Sequence, residues 1–203
     1  MRTLLFTLFG YFSGSVLYAA LFCRLFGKDD VLRDSSDGNP GTANAFICGG
    51  FSCGTLTLLC ELLKAIVPVW LYVGHDTDVL SSPGIVPVLA APVIGHVFSA
   101  FHHLHGGKGI AATFGCLLGL LPYARPLLLF AAMFVFFSVV VVIRPNFART
   151  IVTYLCTAVG MIVVTRMLTL TIGFLLITAA VLYRMHSSDE ERERMRVGLL
   201  WTH

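Results

Sequence analysis

Long runs of apolar residues without a single charge are the feature that most restricts how this chain can fold. Residues 127–143 and residues 167–182 contain no Asp, Glu, Lys or Arg, and their lengths approach the roughly 20 residues that an α-helix needs to cross a bilayer. Across the chain, 57% of the residues are hydrophobic and 12% are charged, about half the charged share of a typical soluble domain. The composition therefore predicts an integral membrane protein.

The apolar runs divide the 203 residues into seven predicted membrane-spanning helices within a single domain, residues 1–203. They lie near residues 3–22, 49–72, 84–103, 109–122, 126–143, 149–165 and 167–183. The predicted fold class is an all-α polytopic membrane protein. The first run follows Arg2 as a secretory signal would, but it is long enough to span, so we expect it to be kept as the first helix.

The Lys and Arg residues are distributed unevenly between the predicted spans. Ten of them follow the first, third, fifth or seventh span: Arg24, Lys28, Arg33, Lys108, Arg144, Arg149, Arg184, Arg192, Arg194 and Arg196. Three others, Arg2, Arg125 and Arg166, lie on the opposite side, and Lys64 lies within the second span. Because positive residues concentrate in cytoplasmic loops, this pattern predicts an N-terminus outside and a C-terminus in the cytoplasm.

Two polar turns on the predicted cytoplasmic face are candidate sites for an anion. The first is Gly106-Gly107-Lys108-Gly109, directly before the fourth span. Backbone N–H groups of such a turn, together with the start of the next helix, attract phosphate. The second turn is residues 38–44, where Asn39 and Asn44 can donate hydrogen bonds. Taken alone, this second turn is equally well an ordinary loop between spans.

Three motifs in this order and spacing resemble the bacterial acyl-phosphate:glycerol-3-phosphate acyltransferase family, PlsY. They are Gly10-Tyr11-Phe12-Ser13-Gly14-Ser15, Gly38-Asn39-Pro40-Gly41 ending at Asn44, and Gly95-His96 followed by Gly106-Gly107-Lys108-Gly109. The resemblance covers about the first 120 residues. It implies a seven-span enzyme of the bacterial plasma membrane whose active site faces the cytoplasm. Such an enzyme transfers a fatty acyl group from acyl phosphate to glycerol 3-phosphate, giving lysophosphatidate for phospholipid synthesis.

The resemblance and the turns together give a set of candidate site residues. The catalytic candidates are Lys108, His96, Asp37 and His186, and the substrate-binding candidates are Gly38, Asn39, Gly41, Asn44, Gly106, Gly107 and Gly109. His96 can hydrogen-bond the loop or move a proton, and a buried structural histidine is an equal alternative. The implied partners are acyl phosphate, glycerol 3-phosphate and membrane lipid. We expect no cofactor, no metal and no nucleic acid.

Several positions depart from the family pattern. Asp37 stands where the family usually has Ser, and Ile47 stands where it has a phosphate-binding Arg. In a further family motif near residue 186, His186 is followed by Asp189 and Arg192, without the usual Asn and Glu. These departures keep a second hypothesis open, a non-catalytic or transport-type membrane protein that binds a phosphorylated ligand. The retained glycines, Lys108 and the Asn residues favour the enzyme.

Two further patterns concern the inside of the helix bundle. Glu61 and Lys64 are three residues apart on one helix face, and buried charges in a span are costly unless they are paired. We expect an ion pair that braces the bundle, with direct catalysis as the alternative. Gly10-x-x-x-Gly14 predicts a close approach between helices, and we expect the acyl chain to lie between helices there.

Overall fold

The computed structural model describes residues 1–27, 41–74, 76–187 and 195–199. Its described part is a bundle of α-helices with one short two-stranded sheet. The helices are α1 (Arg2–Ser15), α2 (Tyr18–Leu25), α3 (Thr42–Val73), α4 (Ile85–Val97), α5 (Ile110–Leu118), α6 (Arg125–Val135), α7 (Asn146–Thr165) and α8 (Leu168–His186). A 3₁₀ helix covers Thr77–Ser81, a π-helical turn covers Phe136–Val140, and the strands are β1 (Val141–Arg144) and β2 (Arg196–Leu199).

Each predicted apolar segment contains a helix, but the helices differ in length. Four are long and apolar enough to cross a membrane: Arg2–Leu25, Thr42–Val73, Asn146–Thr165 and Leu168–His186. Three are shorter: Ile85–Val97, Arg125–Val140 and Ile110–Leu118. The helical class is confirmed for the described residues, whereas the count of seven spans stays a prediction.

The predicted span at residues 126–143 does not remain α-helical to its end. The α-helix stops at Val135, passes through a π-helical turn and becomes strand β1 at Val141. β1 pairs antiparallel with β2, with Val141 opposite Leu199 and Arg144 opposite Arg196. The local sequence explains the change, because the run of valines from 139 to 142 is β-branched and favours extended backbone.

Two of the long apolar segments are interrupted. The first is broken between Ser15 and Tyr18, where α1 ends and α2 begins. The other is α3, in which Gly50 has the non-helical angles φ 85° and ψ 177°. A positive φ of this kind favours glycine. The kink separates a short arm, which begins at Thr42, from the longer part of α3.

Helices α1 and α4 cross in direct backbone contact. A Cβ atom at Gly14 would collide with the carbonyl group of Pro92, and one at Gly95 would collide with the carbonyl oxygen of Tyr11. The predicted close approach at Gly10-x-x-x-Gly14 is therefore confirmed, as small residues allow. The position of the acyl chain stays a prediction, and at Gly10 and Gly14 the face of α1 is in contact with α4.

An aromatic core holds the later helices together and fixes α5. Phe130, Tyr154 and Phe174 are fully buried, and the Tyr154 ring lies 5.0 Å from the Phe130 ring and 5.9 Å from the Phe174 ring. The Tyr154 hydroxyl donates to Thr113 Oγ1 at 2.8 Å, which satisfies a polar group that burial would otherwise make costly. This contact ties α7 to α5, the helix that follows Lys108.

Candidate active site

Three titratable side chains form a closed cluster inside the bundle, which we call the buried cluster: Glu61, Lys64 and His96. Their exposures are 1%, 4% and 4%. Lys64 Nζ lies 2.6 Å from Glu61 Oε2 and 2.9 Å from His96 Nδ1, and His96 Nδ1 lies 3.0 Å from Glu61 Oε2. The predicted ion pair between Glu61 and Lys64 is confirmed.

The buried cluster also forms hydrogen bonds to backbone groups at the break between α1 and α2. Lys64 Nζ donates to the carbonyl of Val16 at 2.6 Å, and the Tyr18 N–H donates to Glu61 Oε1 at 3.1 Å. A helix break leaves such groups without intrahelical partners, and inside a membrane each unsatisfied group costs several kcal/mol. The pair of charges therefore stabilises the broken first segment, in agreement with a bracing role.

The loop after α4 folds back onto the end of that helix. The Gly107 N–H donates to the His96 carbonyl at 3.1 Å, and a Cβ atom at Gly106 would collide with the same carbonyl. Gly109 has φ +79° and caps the start of α5. The expectation that the whole turn offers its N–H groups to an anion is thus wrong for Gly107, since its N–H already has a partner in the chain.

A second link holds this loop against the first helix. Ser99 Oγ donates to the Ser15 carbonyl at 2.6 Å and lies 3.0 Å from His102 Nδ1. The Ala100 N–H donates to Ser15 Oγ at 3.2 Å. Burial, followed by the charges of neighbouring His103 and Lys64, lowers the pKa of His102 from its ordinary value.

A cavity of about 480 Å³ opens beside the buried cluster. Its wall is formed in part by the N-terminal ends of α3, α5 and α7 and by the C-terminal end of α8. Its polar lining residues include Thr42, Asn44, His96, Lys108, Asn146 and Arg149. Its apolar lining residues include Ile47, Leu58, Ile110, Phe114, Phe134 and Met185. The cavity therefore combines a charged part with an apolar part.

The cavity brings together some of the predicted site residues and leaves out others. Its lining includes Gly41, Asn44, His96, Lys108 and Gly109. Gly106 and Gly107 are buried and are not among its described lining residues. His186 lies exposed at the end of α8, also outside that lining. Asp37, Gly38, Asn39, Asp189 and Arg192 lie outside the described residues.

Two lining residues at the start of α7 were not among the predicted site residues. Asn146 is the first residue of the helix and Arg149 follows one turn later. The sequence signal for Arg149 was its charge, which places it on the same predicted face as Lys108 and, with Arg33 and Arg192, among the cations that could reach the Lys108 turn. Asn146 had no signal of its own, because its place in the cavity depends on how α7 packs.

The comparison with solved structures agrees with this architecture. The crystal structure of PlsY, an integral membrane glycerol 3-phosphate acyltransferase, in its glycerol 3-phosphate form matches with a TM-score of 0.77 at 23% identity, covering 92% of this chain and 89% of that one. The lysophosphatidic acid form matches with a TM-score of 0.74 at 22% identity, covering 91% and 88%. The fold is therefore that of a helical integral membrane protein.

Sequence comparison defines the family. The protein-family model described as glycerol-3-phosphate acyltransferase matches residues 4–194 of this chain. The chain therefore belongs to that family. Glycerol-3-phosphate acyltransferase of Aliivibrio salmonicida is 39% identical over 115 residues, 56% of this chain and 57% of the relative. The protein of the same name from Shewanella loihica is 37% identical over 117 residues, 58% and 56% respectively. In these alignments the chain spans little more than half the length of the curated relatives.

Proposed function

We propose that this protein transfers a fatty acyl group from acyl phosphate to the first hydroxyl of glycerol 3-phosphate. The products are lysophosphatidate and inorganic phosphate, and the step belongs to phospholipid synthesis. The observation that carries the proposal is the mixed lining of the cavity. Lys108, Asn44 and Arg149 suit phosphate groups, while Leu58 and Phe134 suit an acyl chain. Family membership supports the same reaction.

The proposed reaction depends more on how the protein positions its two anionic substrates than on a cofactor. The hydroxyl oxygen of glycerol 3-phosphate attacks the acyl carbonyl carbon, and the bond from that carbon to the phosphate oxygen breaks with its electron pair leaving on phosphate. Lys108 holds the acyl phosphate and offsets the charge of the departing phosphate. Asn44 and the backbone at Gly41 orient glycerol 3-phosphate, so proximity lowers the barrier.

His96 is the proposed acceptor of the hydroxyl proton, which it passes on to the released phosphate. This role requires the tautomer whose Nδ1–H donates to Glu61, with the Lys64 ammonium donating to Glu61 and the Val16 carbonyl and not to Nδ1. The other ring nitrogen then carries the lone pair that a base requires. Its place in the cavity lining supports this role. Asp37 and His186 remain candidates from the family resemblance alone.

We infer that the protein is one polytopic domain with seven spans and a cytoplasmic active site in a bacterial plasma membrane. The support is that residues near 41–44, 108–111, 146–150 and 185, all assigned to one face by charge, line a single cavity. In a background free of native cysteines, Ser187→Cys should react with an impermeant reagent only in inverted vesicles. Asp78→Cys, in the opposite loop, should react only in intact cells. The reverse pattern would refute this orientation.

Turnover with defined donors tests the proposed reaction. Purified protein should form lysophosphatidate from acyl phosphate and labelled glycerol 3-phosphate, and should form none from acyl-CoA or acyl carrier protein. The reason is that only acyl phosphate places a phosphate at the reacting carbon, where Lys108 can act on it. Binding of glycerol 3-phosphate without turnover would favour the non-catalytic alternative. Equal rates with acyl-CoA would contradict the assigned donor.

A further inference from the structure

Arg149 is a cation with one buried donor nitrogen, Nε, that the described residues leave without a partner. It lines the cavity. Two arginines elsewhere are engaged: Arg2 donates to the Tyr72 carbonyl, and Arg125 lies over the Tyr123 ring at 5.8 Å. Arg184 Nε and Thr57 Oγ1 are also buried without a partner among the described residues, but neither residue is in the described cavity lining. A buried donor without a partner costs free energy, and at Arg149 a ligand in the cavity would supply that partner.

The charges around the cavity favour an anion. Lys108 and Arg149 both line it, and among the described lining residues Glu61 is the one carboxylate. Glu61 is already paired with Lys64 at 2.6 Å, so its charge is balanced within the buried cluster. Asn146, one turn before Arg149 on the same helix face, adds a side-chain amide to the lining. A guanidinium with a nearby amide suits phosphate oxygens, which it can bind in a bidentate way.

Ile47 and Arg149 lie on two different helices that border the same cavity. Ile47 lines the same cavity and is 78% exposed, and it stands where the family resemblance has an arginine. The wall formed by α3 thus has an apolar side chain at this position, while the wall formed by α7 carries a positive charge. Both walls face the same space, so a charge from either one acts on the same ligand.

We propose that Arg149 binds a substrate phosphate and, together with Lys108, forms a two-cation site in this chain. This inference rests on the proposed function, because it assigns a residue to the phosphate part of that cavity. The ligand is either the acyl phosphate or the phosphate of glycerol 3-phosphate. Both ligands present a phosphate group to the site. The KM values measured separately for the two substrates show which phosphate Arg149 binds.

Moving the charge from one wall to the other tests the proposal. Arg149→Ala should lower kcat/KM by about 10²-fold, the size of effect seen when one electrostatic donor is removed. Arg149→Lys should recover part of the loss, because lysine keeps the positive charge but lacks the planar guanidinium that binds two phosphate oxygens at once. The double variant Ile47→Arg/Arg149→Ala should regain at least tenfold over Arg149→Ala. Arg125→Ala, an exposed arginine outside the cavity lining, should leave both substrates' KM unchanged.

Binding measured without turnover separates this inference from the proposed function. Calorimetry with glycerol 3-phosphate and with inorganic phosphate should show wild-type binding that Arg149→Ala weakens by tenfold or more. If the wild-type protein binds but does not transfer acyl groups, the proposed function fails and the assignment of Arg149 holds. Wild-type affinity and wild-type kcat/KM in Arg149→Ala would overturn the assignment. A loss that neither Arg149→Lys nor Ile47→Arg relieves would also overturn it.

Discussion

The buried cluster and the cavity both place charges near His96, but their charges have different partners. In the buried cluster, Lys64 contacts Glu61, His96 and the Val16 carbonyl within 2.9 Å. In the cavity, Lys108 and Arg149 border an open space of about 480 Å³, and Arg149 Nε has no partner among the described residues. The charged groups of the first region contact one another, whereas the second region contains a buried donor without a described partner.

This difference separates two uses of charge inside a membrane protein. An ionised group away from water must be paired and hydrogen-bonded to be tolerated. In the buried cluster the protein supplies those partners, so removing one group should damage folding. At the cavity the buried Arg149 Nε lacks a partner among the described residues, so removing Arg149 should damage binding or rate and leave folding intact. Glu61 and His96 belong to both regions, because they contact each other in the buried cluster and both also line the cavity.

Removal of Glu61 is expected to have the largest effect. Glu61→Ala leaves Lys64 without its counter-ion and the Tyr18 N–H without its acceptor, so we expect a loss of about 3–5 kcal/mol in folding free energy. Thermal unfolding in detergent should report it. The matched double variant Glu61→Leu/Lys64→Met should lose less, since no unpaired charge remains. Equal losses in the single and double variants would show that the ion pair does not brace the bundle.

Replacement of Lys108 comes next and should act on rate. Lys108→Ala removes a charge that offsets the departing phosphate, so we expect a loss of about 10²-fold in kcat, or about 2.7 kcal/mol, with normal thermal unfolding. Lys108→Arg should restore only part of the rate, because a planar guanidinium replaces a compact ammonium group. Near wild-type turnover in a correctly folded Lys108→Ala protein would refute the proposed site.

Much of the fold could be predicted from sequence because it depends on local patterns. Apolar runs located the helical segments, and the spacing of Glu61 and Lys64 predicted their ion pair. The break after Ser15 had no such signal, since it is tolerated only because Lys64 and Glu61 reach it from another helix. The pairing of Val141 with Leu199 was missed for the same reason, because a strand needs a partner that lies far along the chain.

The site was predictable where its residues belong to one motif. Lys108 and Gly109 line the cavity, as the turn suggested. The role of Gly107 was mistaken because the sequence does not show that the His96 carbonyl lies next to its N–H. Arg149 was missed as a site residue because only the packing of α7 brings it to the cavity. Long-range packing, which no short motif encodes, decides which polar groups remain for a ligand.

The smallest expected effect concerns His102, which lies on the loop between the two regions. Its pKa in the folded protein is below the ordinary value, first because of burial and then because of the charges of His103 and Lys64. Folding therefore favours the neutral ring: this contribution is present above the unfolded pKa of about 6.5 and is lost as the pH falls through the lower folded pKa. The unfolding temperature of the wild-type protein should fall as the pH drops from 7 to 5.

The variant His102→Gln isolates that contribution. Ser99 Oγ donates to the Ser15 carbonyl, so His102 Nδ1 is the donor to Ser99 Oγ in the 3.0 Å contact, and Gln can donate in its place. His102→Gln should reduce the pH-dependent part of the decrease in unfolding temperature and leave turnover at pH 7 nearly unchanged. His105→Gln, in the same exposed loop, is the matched control and should keep the wild-type pH profile. A profile unchanged by His102→Gln would place the pH sensitivity in the charges of the buried cluster instead of the loop.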